Sequence, residues 1–206
     1  ITKATLPLRT GSLAATVTEA IRIALSEPAR PVHLDLPEDV ALAAAEESAL
    51  AIPAAQPLPA PAPAALAKAD RLIAAARRPV AVIGASAMRM RDPTLLRRFI
   101  ERHDMPFAST TMAKGLIDED HPLSFGCIER ARRQVQRAFL RGADLVIGLG
   151  YDTIEVEYEA WIGDRPLLHL GIEPADTDGS VTIAEQVVGD LDAALEAASP
   201  LSPGKR

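Results

Sequence analysis

The sequence predicts a doubly wound α/β fold, with six strands in a mainly parallel sheet and helices on both of its faces. Two runs, at 80–84 and 145–150, are apolar throughout, as strands buried on both faces of a parallel sheet require. Segments with apolar residues at helical spacing alternate with these and other strand-like runs. Strands that alternate with helices indicate right-handed crossovers, and therefore helices on both sides of the sheet.

The amino-terminal part of the chain differs from the rest in its pattern. A helix is predicted over 12–26 and a short strand over 31–37, between two prolines. Five prolines interleaved with alanine predict an extended connector over 53–63. Beyond it we predict helices over 64–76, 93–103, 130–141 and 191–198, strands over 80–84, 107–110, 144–149, 167–172 and 186–188, and a long loop over 111–129. We expect a single domain over 1–198 and a disordered tail over 199–206.

Composition argues against several classes of partner. The net charge of −6 disfavours general binding to nucleic acid or to an anionic membrane. Apolar runs stay well short of the roughly 20 residues that cross a bilayer. Cys127 is the single cysteine, which is typical of a reducing cytoplasm. We therefore expect a cytoplasmic protein with no nucleic acid and no membrane as partner. A first residue other than Met indicates a chain that is either processed or a fragment.

Ligands of a doubly wound sheet bind outside the carboxyl ends of its strands, so the loops after the strands are the candidate site. Gly84-Ala85-Ser86 follows a strand but lacks the second and third glycines of a dinucleotide-binding turn. Gly148-Leu149-Gly150 also follows a strand and continues into Tyr151 rather than another glycine. Both segments are compatible either with tight turns or with a degenerate nucleotide site.

The titratable residues show no catalytic or metal-binding pattern. The four histidines are scattered without metal-ligand spacing. His33 and His169 lie in strand patterns, where we expect packed and hydrogen-bonded side chains. The alternating Glu155, Glu157 and Glu159 suit an exposed edge or loop. We therefore assign no catalytic residue and no metal ligand to this chain.

Several segments, in one order and spacing, resemble the central domain of thiamine-diphosphate-dependent enzymes. PARPVHLDLPEDV at 28–40 resembles the family's entry into this domain, and ARRPVAVIG at 76–84 resembles its second strand. The resemblance covers residues 1–198 and implies a Rossmann-like domain of the DHS-like NAD/FAD-binding type. Further similar segments are MPFASTTMAKG at 105–115, DEDHPLSFG at 118–126 and GADLVIGLG at 142–150.

One segment narrows the resemblance to acetolactate synthases of the catabolic type. GYDTIE at 150–155, with Trp161 after it, is similar to the wording of that subfamily. The sequence departs from it at Thr153, where a proline is usual, and at Val156, which replaces a tyrosine. A related carboligase or decarboxylase therefore stays open. The resemblance implies that the full-length protein decarboxylates or ligates 2-oxo acids and that this chain is inactive alone.

The resemblance also implies where the cofactors lie. In this family thiamine diphosphate sits between two other domains, which supply a glutamate and a Gly-Asp-Gly…Asn segment that holds Mg²⁺. Gly-Asp-Gly does not occur in this sequence. We therefore expect no cofactor in this chain, and thiamine diphosphate with magnesium in the full-length enzyme. The expected partners are the flanking thiamine-binding domains of the same polypeptide and, in the full-length protein, further copies in a homo-oligomer.

The central domain of this family holds FAD in some members and ADP in others. The sequence departs from the flavin pattern, because a triple glycine is replaced by GAS at 84–86 and an arginine-bearing loop by GYD at 150–152, which weakens anion binding. We expect a ligand-free or weakly nucleotide-binding scaffold; the alternative is a standalone FAD- or ADP-binding module without catalysis. By resemblance, FAD would contact Gly84, Ala85, Ser86, Thr110, Thr111, Met112, Gly150, Tyr151, Asp152, Glu173 and Asp190.

Overall fold

The computed structural model describes residues 2–52, 54–128 and 133–198. The chain divides into two compact units, Ile1–Leu58 and Pro59–Arg206. The expectation of one domain over 1–198 stays a prediction, and the predicted tail over 199–206 lies outside the described residues.

The first unit is a small parallel β-ribbon with helices. Strand β1 (Thr5–Pro7) pairs with β2 (His33–Asp35), and helices α1 (Leu13–Leu25) and α2 (Glu38–Leu42) follow the two strands. The ammonium group of Lys3 donates to the carbonyl oxygens of Ile23 and Ser26 at 2.7 and 2.8 Å, which joins the segment before β1 to the end of α1. His33 is exposed, so the expectation that it packs is wrong, because within the described part of the chain β2 pairs with β1 alone and lies at a sheet edge.

The second unit contains a six-stranded, all-parallel sheet. Its strand order is β5-β4-β3-β6-β7-β8, which is the order of a doubly wound fold. From β3 the chain adds β4 and β5 on one side, and then returns to add β6, β7 and β8 on the other side, so the strand order reverses between β3 and β6. The fold class predicted from the sequence is therefore confirmed. The strands are β3 (Pro79–Ile83), β4 (Phe107–Thr110), β5 (Ser124–Ile128), β6 (Leu145–Leu149), β7 (Leu167–Gly171) and β8 (Ile183–Val188), and the helices are α3 (Pro63–Ala75), α4 (Thr94–Arg102), α5 (Arg133–Leu140) and α6 (Leu191–Ala197).

The predicted number of strands in the main sheet is right, but one of the six predicted strands lies elsewhere. The strand predicted over 31–37 belongs to the ribbon of the first unit, and the sixth strand of the main sheet is β5, which lies inside the segment predicted as a loop. Gly126 in β5 has a φ of +100°, and the register with β4 shifts between Phe107 and Ser109. This irregular edge strand lacks the continuous apolar pattern that predicts β3 and β6.

The two faces of the sheet bury different partners. Ala81 and Ile83 of β3 face a core shared with α3, α4 and α6, whereas Val80 and Val82 face a second core. The second core contains Leu140 of α5 and an aromatic segment between β6 and β7, with a single 3₁₀ turn at Tyr158–Ala160 in place of a crossover helix. Apolar side chains on alternate positions thus bury both faces, which is the main source of stability in such a sheet.

None of the helices within the described ranges has the length and apolar character that crossing a bilayer requires.

Candidate functional site

The candidate site is the crevice outside the carboxyl ends of β3 and β6, where the strand order reverses. The turns that leave these two strands pack directly on each other. The N–H group of Gly84 donates to the carbonyl of Leu149, and that of Ser86 donates to the carbonyl of Gly150, both at 2.9 Å. A Cβ atom at Gly84 would overlap the Cα of Tyr151. Glycine at 84 therefore permits the close approach of this chain's own backbone rather than that of a ligand.

Gly150 is constrained in a second way. Its φ of +60° lies in the left-handed region, and a Cβ atom there would lie 2.5 Å from the nitrogen of Ala87. The same atom would contact the side chain of Leu191 at 3.0 Å, so the first residue of α6 lies beside this turn. Glycine is therefore required at 150 by both backbone conformation and space.

A carboxylate of this chain joins three of the loops at the carboxyl edge. Glu155, in the loop after β6, accepts the N–H of Ala85 after β3 at 3.1 Å through Oε2. Its Oε1 accepts the N–H of Met112 after β4 at 3.0 Å. We call these two hydrogen bonds the Glu155 bridge. The acidic run lies after β6, outside the strands, and its predicted exposure holds for Glu157, whereas Glu155 and Glu159 are only partly exposed.

The remaining predicted residues of the β4 and β6 loops lie in three different settings. Thr110 is fully buried, and its Oγ1 has no hydrogen-bond partner among the residues that the structure describes. Thr111 is exposed, with its Oγ1 3.8 Å from Sγ of Cys127. Asp152 accepts the N–H of Ile154 at 3.0 Å, which shapes the turn that leads into Glu155.

An aromatic cluster forms the floor of the crevice on one face of the sheet. Tyr151 stacks on Tyr158 with ring centroids 4.3 Å apart, and Trp161 tilts against both rings. The hydroxyl of Tyr151 donates to the carbonyl of Val156 at 2.5 Å and accepts from Nε1 of Trp161 at 2.8 Å. Burial raises the pKa of Tyr151, as do the nearby carboxylates. Tyr151 is therefore a buried structural residue, and it presents no free polar group to the crevice.

His169 of β7 is held by this cluster. Its Nε2 lies 3.0 Å from the carbonyl oxygen of Glu173, so that nitrogen carries the proton and donates it. Its Nδ1 is then the acceptor for the hydroxyl of Tyr158, 2.9 Å away. Burial lowers the pKa of His169 from 6.5 to about 4, and the hydrogen bond to the carbonyl of Glu173 partly opposes that shift. The prediction that His169 is packed and hydrogen-bonded is confirmed.

The two acidic residues predicted from the later strands lie in different settings. The side chain of Glu173 is exposed, whereas that of Asp190 is buried at the start of α6. Asp190 accepts the N–H of Ala193 at 3.0 Å and both terminal nitrogens of Arg91 at 2.6 and 3.1 Å. The hydrogen bonds and charge of Arg91 lower the pKa of Asp190. Asp190 therefore caps α6 and fastens the loop after β3 to it.

The structure brings nine of the predicted residues, 84–86, 110–112 and 150–152, to the adjacent ends of β3, β4 and β6, while Glu173 and Asp190 follow the next two strands. Their assignment to a cofactor stays a prediction. The crevice does not fit a diphosphate, since the N–H groups of Ala85 and Met112 already bond a carboxylate. Four acidic residues and no basic residue lie between 151 and 160, which adds repulsion for a phosphate. Within the described residues, no cluster of His, Cys, Asp and Glu could hold a metal ion.

The strand order and the position of the crevice together define a doubly wound α/β domain with its candidate site at the reversal of strand order. The family of the thiamine pyrophosphate enzyme central domain matches residues 66–198. The chain belongs to this family, as the resemblance in its sequence indicated.

Relatives and a solved structure agree with this assignment. The chain is 33% identical over 190 residues to oxalyl-CoA decarboxylase of Escherichia coli K12, covering 86% of this chain and 32% of that protein. It is 30% identical over 178 residues to acetolactate synthase of Bacillus subtilis 168, covering 85% and 31%. A crystal structure described as a thiamin diphosphate-dependent enzyme from Mycobacterium smegmatis shares the fold, with a TM-score of 0.76 at 24% identity over all of this chain and 41% of that one. The chain thus spans about a third of the length of these two curated relatives.

Proposed function

We propose that this chain is the central, non-catalytic domain of an enzyme that decarboxylates or ligates 2-oxo acids with thiamine diphosphate. The family match over 66–198 supports the place of the domain, and the names of the relatives support the two reaction types. The reaction belongs to the whole polypeptide in this proposal, because the chain spans only about a third of either relative. GYDTIE at 150–155 favours pyruvate as the 2-oxo acid, through the resemblance to acetolactate synthases.

Thiamine diphosphate and magnesium belong, in this proposal, to the two flanking domains. The chain has no Gly-Asp-Gly segment with which to hold Mg²⁺ and a diphosphate. When bound, thiamine diphosphate supplies a stabilised carbanion, and the protein supplies position and electrostatics. The part of this chain is to hold the loops at the carboxyl edge of its sheet in one arrangement beside those domains.

The observation that carries the scaffold role is the bonding of Asp190. Its carboxylate lies where a doubly wound sheet offers polar groups to a ligand, yet it is bonded to Arg91 and to the N–H of Ala193. Asp192, buried next to it, accepts the backbone N–H groups of Arg91 and Asp92 at 3.2 and 2.8 Å. These groups join α6 to the loop after β3, and a rigid edge of this kind suits a domain on which others rest.

We further propose the flanking domains of the same polypeptide as the partners of this edge. Met88, Met112 and Ile154 follow β3, β4 and β6, and their side chains are 52%, 63% and 63% exposed. Large exposed apolar side chains at three neighbouring strand ends suit a surface that another domain covers. The curated relatives are about three times longer than the matched segment. We therefore expect further domains of the same polypeptide to cover these three side chains. A cytoplasmic homo-oligomer is the proposed state of the complete protein.

The test is an assay of carbon dioxide release by the complete protein, with pyruvate and with oxalyl-CoA as substrates. We expect turnover of pyruvate that is lost when thiamine diphosphate and Mg²⁺ are removed, restored when both return, and unchanged by FAD. Faster turnover of oxalyl-CoA would move the assignment to the decarboxylase. The absence of thiamine-dependent turnover with either substrate would refute the proposal.

A further inference from the structure

The loop after β3 contains four consecutive backbone N–H groups at the position where a doubly wound fold binds an anion. Three of them bond backbone carbonyls: Gly84 to Leu149, Ser86 to Gly150 and Ala87 to Gly84. The N–H of Ala85 differs, because it bonds a side chain, the carboxylate of Glu155. A side chain can be displaced or replaced without opening the sheet. The N–H of Ala85 is therefore the donor of the four that an external anion could bind.

The second half of the bridge reaches another strand. Met112 follows β4, the neighbour of β3, and its N–H bonds the other oxygen of the same carboxylate at 3.0 Å. One carboxylate group therefore receives two N–H donors from two adjacent strand ends, 70 and 43 residues away in sequence. Two converging backbone donors are also what a phosphate oxygen pair would require.

We propose that Glu155 is the specificity-determining residue of this crevice: its carboxylate takes the place of a ligand phosphate and excludes nucleotides. The inference deepens the proposed scaffold role and rests on it. The bridge contributes in two ways, by satisfying both donors and by placing a fixed negative charge where a diphosphate would lie. Glu157 and Glu159, further along the loop, add to that negative potential, and both also raise the pKa of the buried Tyr151.

Glu155→Ala provides the direct test, because it removes the charge and leaves the N–H groups of Ala85 and Met112 without their acceptor. Glu157→Ala is the matched control, since it removes the same charge from an exposed side chain two residues away. Glu155→Gln keeps the size of the side chain and one acceptor oxygen, so it serves as a variant that preserves the packing. The probes are ADP and inorganic pyrophosphate, titrated by calorimetry into the complete protein saturated with thiamine diphosphate and Mg²⁺.

We expect E155A to bind ADP at least about tenfold more tightly than wild type, a difference of about 1.4 kcal/mol. The ADP affinity of E155Q should lie between those of E155A and wild type, and E157A should gain much less affinity than E155A. Hydrogen-exchange mass spectrometry locates the binding: ADP should protect segments 85–90 and 110–115 in E155A and leave them unchanged in wild type. Tighter ADP than pyrophosphate binding would show that the crevice also accepts the nucleoside.

Three results would overturn the proposal. One is equal affinity for ADP in E155A, E155Q and E157A. Another is micromolar binding of ADP by wild type with protection of the same two segments. This result is measured on the wild-type protein, so it does not depend on whether the variants fold. The third is a gain in E157A equal to that in E155A, which would assign the effect to overall charge. These differences in ADP affinity between variants are informative even if the complete protein shows no thiamine-dependent turnover. A failure of the proposed function would affect wild type and all variants equally.

Discussion

The hydroxyl of Tyr158 donates a hydrogen bond to Nδ1 of His169 across 2.9 Å, entirely within the core. Tyr158 has no exposed surface, and His169 is only 2% exposed. The contact joins the 3₁₀ turn of the aromatic segment to β7, and so it holds the floor beneath the candidate site. Because both side chains are buried, water cannot replace the hydrogen bond that one partner loses when the other is removed.

Tyr158→Phe should lower the free energy of unfolding by about 1–3 kcal/mol, since it leaves Nδ1 of His169 buried and unpaired. Tyr151→Phe should cost more, because it leaves both the indole N–H of Trp161 and the carbonyl of Val156 without a partner. Urea denaturation followed by circular dichroism gives both values. A loss below about 0.5 kcal/mol for Y158F would contradict the described hydrogen bond.

The stability of the protein should depend on pH through His169. Its pKa is about 4 in the folded chain and 6.5 when exposed, so between these values the unfolded state binds more protons. The contribution is complete above pH 6.5 and is lost as the pH falls toward 4, by about 3 kcal/mol at most. His169→Gln should remove this slope, and since His103 titrates in both proteins, the difference isolates His169. Equal slopes in the two proteins would be inconsistent with a buried neutral imidazole.

Gly148 has no space for a side chain, because a Cβ atom there would overlap the hydroxyl of Tyr158. Gly148→Ala should therefore cost about 1–3 kcal/mol through overpacking. In the double variant G148A/Y158F the hydroxyl is absent, so the loss should be smaller than the sum of the single losses by roughly 0.5–3 kcal/mol. A double-mutant cycle in urea measures the coupling, and additive losses would count against the close contact.

Asp190→Ala should destabilise the chain by about 1–2 kcal/mol, because it removes the cap of α6 and the partner of Arg91. Arg91→Ala is the matched comparison and should cost less than Asp190→Ala, since the arginine side chain is 69% exposed and the cap remains. Thermal unfolding ranks the two variants. A cost for R91A equal to that for D190A would mean that the ion pair, rather than the cap, holds the helix.

The sequence allowed the fold class to be predicted because β3 and β6 are apolar on both faces and alternate with amphipathic helices. The sequence does not predict β5, because a glycine and a shift in register interrupt its apolar pattern. The strand predicted over 31–37 is β2, which pairs with β1 in the first unit and does not belong to the main sheet. The loops of the site could be located, since strand ends define them. The bridge from Glu155 could not be found, because it depends on donors 43 and 70 residues away that only folding brings together.

In the proposed function, thiamine diphosphate binds only where the flanking domains accompany this one. The most direct measurement is a calorimetric titration of thiamine diphosphate with Mg²⁺ into this 206-residue chain and, in parallel, into the complete protein. We expect tight, Mg²⁺-dependent binding by the complete protein and none by the chain. Tight binding by the chain alone, or none by the complete protein, would contradict it.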